Sequence, residues 1–338
     1  MKAFAIYGKE DMRPIETELP PMEAGDLVIK VLTCGVCGAD LRQYHKGPSS
    51  RYTLPVVLGH EICGEVIEVG AAVDSLKAGD RVTIAPVGPC MQCRACSNGH
   101  QNLCENGLIT GTTIPGAFAE FMHIPAQLIN TGGVVKVPEG VSNYAAAMAE
   151  TVSCCLHGLA HYHTRVGDKV LVIGDGPVGL VFVQLLKLMG AGKVVTSGRR
   201  PLRRKLAAEL GADEALDANE VNLAERFGRT FDSVIVATSN VAAAEEAQHL
   251  VRLGGDLLLF SGYASGVMMT LDVNVLHYKE LHIHGGVDSN INDFRYAVEL
   301  LPSLQLDKLV SGVWPLEKLV EAFLAASEKD VLKLFVEP

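Results

Sequence analysis

Two groups of residues in this chain have types and spacings that suit metal chemistry. The first is Cys34-Gly35-Val36-Cys37-Gly38-Ala39-Asp40, read together with Gly59-His60-Glu61. A thiolate, an imidazole and a carboxylate brought together by folding can hold Zn2+ and leave one coordination position open. That makes a Lewis acid able to grip an alcohol or carbonyl oxygen. Taken singly, these residues have plainer explanations, because a lone Cys is most often a small buried hydrophobe and a His-Glu pair a surface feature. Cys34 and Cys63 are assigned to that plain class. The second group is Cys90, Cys93, Cys96 and Cys104. Four thiolates at such spacing can close a tetrahedral site with no open position, which is a structural arrangement that folds an otherwise polar loop. An iron–sulfur cluster also accepts four thiolates, but the spacing matches no ferredoxin pattern and nothing else points to electron transfer. Zinc is therefore favoured. His100, inside the lobe, would be a fifth ligand and reads as a surface residue.

A third stretch suits a phosphate. Lys169-Val170-Leu171-Val172-Ile173 has the pattern of a buried strand and runs into Gly174-Asp175-Gly176-Pro177-Val178-Gly179, after which a helix is expected through Met189. A glycine motif between strand and helix lets the backbone approach a pyrophosphate at the helix N-terminus. The end of the next strand, Lys193-Val194-Val195-Thr196-Ser197, bears on which cofactor binds. NAD binders place an acid there for the ribose hydroxyls, and NADP binders an arginine for the 2′-phosphate. No acidic residue lies between Gly176 and Ala208, and Gly198-Arg199-Arg200 occupies the position. NADP(H) is thus expected in preference to NAD(H), held by Gly174, Gly176, Pro177, Val178, Gly179, Ser197, Gly198, Arg199 and Arg200, with Arg204 added. Arg203 and Lys205 read as a solvated helix face.

The elements that must position these groups fall into two textures. Residues 20 to 90 read as short strands and turns, among them Leu27–Leu32, Glu65–Gly70 and Arg81–Ile84, and form a small β-rich body. From about residue 150, strands alternate with helices. Asp232–Val236 and Asp256–Phe260 are further strands, a helix reaches about residue 252 between them, and together they describe a doubly wound parallel sheet. Helices near 291–301 and 315–327 lead to a strand at Leu332–Val336 that returns to the first body. The expected domains are 1–149 with 287–338, and 150–286. His282 and His284 are explained by the alternation of an exposed strand rather than by a metal cluster with His277.

At 338 residues, 48% apolar and 20% charged, the chain suits two globular domains with ample core. No apolar run reaches the roughly 18 residues of a membrane span, and no signal peptide is evident. The net charge of −10 argues against nucleic acid, which needs a basic surface. Nine cysteines without a secretory signal point to metal binding in a reducing compartment rather than to disulfides, so a cytoplasmic location is expected.

Cys37 in its Cys-Gly-Val-Cys-Gly-x-Asp context, Gly59-His60-Glu61 and the four-cysteine lobe together resemble the zinc-dependent medium-chain alcohol dehydrogenases. The likeness is closest to the polyol (sorbitol) and threonine dehydrogenase branch and spans essentially the whole chain. The resemblance implies a GroES-like catalytic domain and a Rossmann domain, and two zincs per chain. One would be catalytic on Cys37 and His60, and one structural on Cys90, Cys93, Cys96 and Cys104. It also points to Glu150, in Ala149-Glu150-Thr151, as a third ligand or the holder of a zinc-bound water. Glu61 would be a ligand in some states. The Pro usual after Glu150 is Thr151 here. A homo-oligomer, dimer or tetramer, follows from the resemblance.

The reaction so implied is hydride exchange between NADP(H) and a small-molecule secondary alcohol or ketone, most simply a polyol, sugar or cyclitol. Arg42, Gln43, Tyr44 and His45 follow the zinc-binding loop and suit a hydroxyl-rich substrate. Arg42 would equally receive the anion of a hydroxy acid such as threonine or a sugar acid. A zinc-free quinone or enoyl reductase, or a non-catalytic NADP-binding protein, would share the nucleotide domain without the metal ligands. Relatives carry Ser or Thr two residues after the zinc cysteine, and often His five after it, to relay the alcohol proton. Ala39 and Arg42 stand there in this chain, so a water held by Glu150 or Glu61 is expected to take the proton, with Tyr44 or His45 as weaker alternatives.

Overall fold

The computed structural model describes residues 1–160 and 164–338. These divide into two compact units, Met1–Ser153 with Asp288–Pro338, and Cys154–Val287. The first division falls a few residues after the change of texture at 149/150, so Glu150 and Thr151 stand in the first unit.

The first unit is built on the strand Leu27–Gly35, whose residues Leu27, Ile29, Val31 and Cys34 are almost fully buried. It pairs antiparallel with Glu61–Val69 on one side and with Lys333–Glu337 on the other. The wider sheet runs Val134–Lys136, Arg81–Ile84, Glu61–Val69, Leu27–Gly35, Lys333–Glu337, Val310–Pro315, and Phe121–Ile124 adds to Leu27–Gly35 off that path. Lys2–Gly8, Asp11–Glu16 and Val56–Val57 make a separate three-stranded sheet. The alternation expected over Glu65–Gly70 holds at Val66, which is fully buried, while Ile67 is exposed. Phe323, from the helix Leu319–Ala326, stacks edge-on against both Phe118 and Tyr44 at 5.6 Å. Two distant parts of the chain are thereby tied into one aromatic core.

The second unit holds six parallel strands in the order Glu214–Asp217, Lys193–Gly198, Lys169–Ile173, Phe231–Val236, Val251–Leu259, His282–Gly285. Val170, Leu171, Val172, Val194, Val195, Val234 and Ile235 are fully buried, as a parallel sheet covered on both faces requires. The helix expected to reach 252 ends at Ala247, and the strand expected at Asp256 already begins at Val251. At this junction Arg229 Nη1 donates to the carbonyls of Gln248 and Val251, each at 3.1 Å. His282 and His284 lie on one face of the edge strand and both approach Asp256 Oδ1, at 3.5 and 2.8 Å. Among the described residues no helix is long and apolar enough to cross a membrane.

Candidate active site

Cys37 is the N-cap of the helix Gly38–Lys46. Its Sγ accepts the Ala39 N–H at 3.4 Å, while Asp40 Oδ2 accepts the Cys37 N–H at 3.1 Å, a reciprocal cap. A thiolate is favoured at that end of a helix, where unpaired N–H groups and the dipole are positive. Burial pushes the Cys37 thiol up, and His60 beside it pulls the other way. His60 Nδ1 faces Asp40 Oδ1 at 3.5 Å. Burial opposes a charge on His60, but Asp40 and Cys37 outweigh it and hold its pKa well above the usual range. Asp40 therefore serves both halves of the site, capping the helix that carries Cys37 and orienting the imidazole.

Glu61 begins its strand opposite Gly35 and is 1% exposed. Its Oε1 accepts from Thr151 Oγ1 at 3.2 Å and from the ammonium of Lys333, while Oε2 has no partner among the described residues. A Cβ at position 35 would lie 2.1 Å from Oε2, which explains a glycine in the middle of a sheet. Gly59, at φ +97, has a Cβ position 2.8 Å from Cys34 Sγ. Cys34 is packing beneath the loop, fully buried, with its thiol pushed far up by desolvation.

One ligand atom each from Cys37, His60 and Glu61 lies within 4.8 Å of the others. Glu150, 8% exposed, is outside that trio, and its Oε2 accepts from Thr151 Oγ1 at 3.3 Å. The hydroxyl of Thr151, in the position where relatives carry Pro, thus lies between two carboxylates and can donate to one of them at a time. Lys333 was not legible as a site residue. It opens the strand Lys333–Glu337, 5% exposed, and burial lowers its pKa less than Glu61, Cys37 and Glu150 raise it. The one signal in sequence was a lysine interrupting Leu332-Leu334-Phe335-Val336.

The loop after Cys37 divides. Arg42 is exposed, with Nη1 3.9 Å from the Cβ position of Gly38. Gln43 accepts the Ser49 N–H. Tyr44 is buried in the aromatic core, and His45 faces Ser327 Oγ at 3.3 Å and Glu10 at 3.6 Å. Tyr44 is thus engaged by ring packing, and His45 by Ser327 and Glu10.

The four lobe sulfurs also lie within 4.8 Å of one another. Backbone N–H groups of Cys90 and Cys93 point at Cys104 Sγ (3.2 Å) and Cys90 Sγ (3.4 Å). Donors from Gln92 and Cys93 bring the Cys90 thiol down to about 6, while burial beside other sulfurs lifts Cys96 to about 12. His100 is exposed and outside the cluster.

In the second unit, Gly174 takes φ +127, and a Cβ there would lie 2.7 Å from the Ala237 carbonyl. A Cβ on Gly179 would strike the Gly174 carbonyl at 2.0 Å, whereas Gly176 has open space beside it. These glycines make a cradle that side chains would fill, which fits a pyrophosphate. Pro177 and Val178 open the helix Pro177–Leu188 behind them. Ser197 and Gly198 close their strand, buried, with Arg199 exposed and Arg200 half-buried after them. Arg204 is tied to Asp217 at 2.7 Å and to the Gly198 carbonyl at 3.3 Å, so its charge is already matched. A Cβ at 198 would lie 2.3 Å from the side chain of Asp175. The absence of an acid after Gly176 is therefore not an absence of acid in space.

The fold and these two clusters define the class. Residues 23–139 match the alcohol dehydrogenase GroES-like domain family and residues 177–303 the zinc-binding dehydrogenase family. The chain belongs to the zinc-dependent medium-chain dehydrogenases, in their polyol dehydrogenase branch. It is 30% identical to sorbitol dehydrogenase of Bacillus subtilis, over 100% of this chain and 97% of the relative. It is 31% identical to D-arabitol-phosphate dehydrogenase of Enterococcus avium, over 98% and 95%. A zinc-binding dehydrogenase structure from Sinorhizobium meliloti 1021, bound to NADP, superposes with a TM-score of 0.93 at 28% identity, covering 100% of this chain and 99% of that one.

Proposed function

We propose that the protein oxidises a secondary alcohol, or reduces the corresponding ketone, with NADP(H) and a catalytic zinc, on a polyol, sugar or cyclitol. The observation that carries this reading is the trio of half-buried Cys37 and His60 with buried Glu61, whose Oε2 has no hydrogen-bond partner among the described residues. A buried anionic oxygen without a donor is costly, and beside a thiol and an imidazole a divalent cation answers it. When bound, zinc supplies a Lewis acid for the substrate oxygen and NADP(H) supplies or accepts the hydride.

The chain's own residues do the rest. Cys37 and His60 hold the metal, with Glu61 or Glu150 beside them, and Asp40 keeps the imidazole in place. Lys333 balances the charge of Glu61, so that the pocket is not left with an excess of anions. Because position 39 is alanine and position 42 arginine, the substrate proton goes to a water held by Glu150 or Glu61. Thr151 donates to whichever of these is the stronger acceptor. Arg42, exposed beside Gly38, is the side chain free to meet a substrate hydroxyl or anion. The lobe of Cys90, Cys93, Cys96 and Cys104 holds a second, structural zinc. In the nucleotide unit, Gly174, Gly176, Pro177, Val178 and Gly179 receive the pyrophosphate, and Ser197, Gly198, Arg199 and Arg200 the adenosine end. The guanidinium of Arg204 adds only long-range charge.

The names of the relatives, acting on sorbitol and a D-arabitol phosphate, and the NADP on the Sinorhizobium neighbour support substrate and cofactor classes. We also propose a cytoplasmic homo-oligomer. The test is metal analysis together with turnover on sugar alcohols, aldonates, threonine and simple secondary alcohols, each with NADP and NAD. Two zincs per chain and NADP-linked polyol turnover are expected. A zinc-free protein would leave the quinone or enoyl reductase reading, and cofactor binding without turnover the non-catalytic one.

A further inference from the structure

Asp175 is the variable residue between the first two glycines of Gly174-Asp175-Gly176, and it is 9% exposed. Its Oδ2 accepts the backbone N–H of Arg200 at 2.9 Å. Its Cβ, Cγ and Oδ2 each lie 2.3 Å from where a Cβ on Gly198 would stand. The carboxylate therefore occupies the place of a side chain at the end of the second strand, although it arises from the loop after the first. Among the described residues Oδ1 has no hydrogen-bond partner. Arg199 and Arg200 follow Gly198 in the chain, while Asp217, paired with Gly198 in the sheet, is neutralised by Arg204.

We propose that Asp175 is a specificity-determining residue for the cofactor. Its free oxygen accepts a hydroxyl of the adenosine ribose, so that the unit takes NAD(H) as well as NADP(H), and its charge limits the preference for the 2′-phosphate that Arg199 and Arg200 create. An acid at this strand end serves the ribose diol of NAD binders. What differs here is its origin, one strand earlier in the chain. The same oxygen cannot favour a 2′-phosphate, because like charges in a partly desolvated site repel. The Arg200 N–H, already donated to Oδ2, is likewise withdrawn from that phosphate. Arginine and aspartate side by side thus give a site that grips either form, each by a different group.

This inference rests on the NADP(H) reading for its phosphate arm, but its NAD(H) arm stands alone. The experiment measures dissociation constants by titration calorimetry on the zinc-loaded enzyme, for NAD, NADP, ADP and 2′,5′-ADP, in the parent and in Asp175→Asn and Asp175→Ser. Asn keeps an oxygen for the Arg200 N–H while removing the charge. In both variants NADP and 2′,5′-ADP are expected to gain on NAD and ADP by about tenfold, the effect of one nearby charge at partial exposure. NAD should weaken in absolute terms. An unchanged ratio, or equal weakening of all four ligands, would show that Asp175 only clamps the Arg200 backbone and would overturn the proposal. The double variant Arg199→Ala/Arg200→Ala separates the two readings. If it leaves NADP binding untouched, the NADP reading fails, while loss of NAD affinity in Asp175→Asn still upholds the role of Asp175.

Discussion

Removing the ammonium of Lys333 tests how this site tolerates a buried carboxylate. Lys333 and Glu61 have side chains 6% and 1% exposed, so neither is screened by water. Lys333→Met preserves most of the side-chain volume and leaves Glu61 with Thr151 as its one remaining donor. Removing one partner of a buried pair costs about 3–5 kcal/mol, which for a body of this size lowers Tm by roughly 6–20 °C. Calorimetric or circular-dichroism melts of parent and variant measure this directly. A cation in the Cys37–His60–Glu61 trio would share the burden on Glu61, so the loss should be larger after chelation than in the zinc-loaded protein. The double variant Lys333→Met/Glu61→Gln, which removes both charges, should recover most of the lost stability. If Lys333→Met melts within about 2 °C of the parent, or if the double variant is no better than the single one, Glu61 is not held as a buried anion. The charge balance argued for the site would then be wrong.

Three further outcomes follow from the geometry. Glu150→Gln should lower turnover about 10²–10⁴-fold and move the pH–rate profile while zinc content stays at the parental level; loss of zinc would make Glu150 mainly a ligand, and no effect would exclude both roles. Cys104→Ser should remove one metal equivalent per chain and open residues 90–104 to limited proteolysis, with the second equivalent retained; unchanged metal content would refute a closed thiolate site. Burial works against ionisation of Asp26, but the backbone N–H groups of Glu23 and Ala126 and the His123 ring overcome it and hold the carboxyl below its usual range. Its contribution to stability is therefore complete above about pH 4 and lost as pH falls through the lowered folded value. Asp26→Asn should flatten the acid limb of a stability-versus-pH curve, and an identical limb would contradict the assignment.

What could be read from the chain alone follows from the range of each interaction. The lobe thiols fall within fifteen consecutive positions, so spacing alone implies their convergence. Cys37 is placed by a local cap that its own next three residues complete, and the glycine cradle lies between a strand and a helix of unmistakable pattern. The pairing of Lys333 with Glu61 depends on two strands separated by most of the chain, and a lysine in a terminal strand reads as solvent-facing until its neighbours are known. Asp175 escaped for a similar reason. Along the sequence no acid closely follows the second strand, while the fold supplies one sideways from the adjacent loop. Arg42, Gln43, Tyr44 and His45 are consecutive on one helix and cannot all face one way, and the chain alone does not say which side each takes. Thr151 looked like a mild departure from a pattern and turned out to touch both carboxylates.

The sheet of the first unit takes its fifth strand, Lys333–Glu337, from beyond the whole of the nucleotide unit, 272 positions after Glu61. On a ribosome adding about 5–20 residues per second, Cys37, His60 and Glu61 emerge well before the ammonium that balances them. The nucleotide unit is made in one uninterrupted run, whereas the first must wait half-built until that run is over. The order of synthesis thus leaves Glu61 without its lysine until nearly the whole chain has been made.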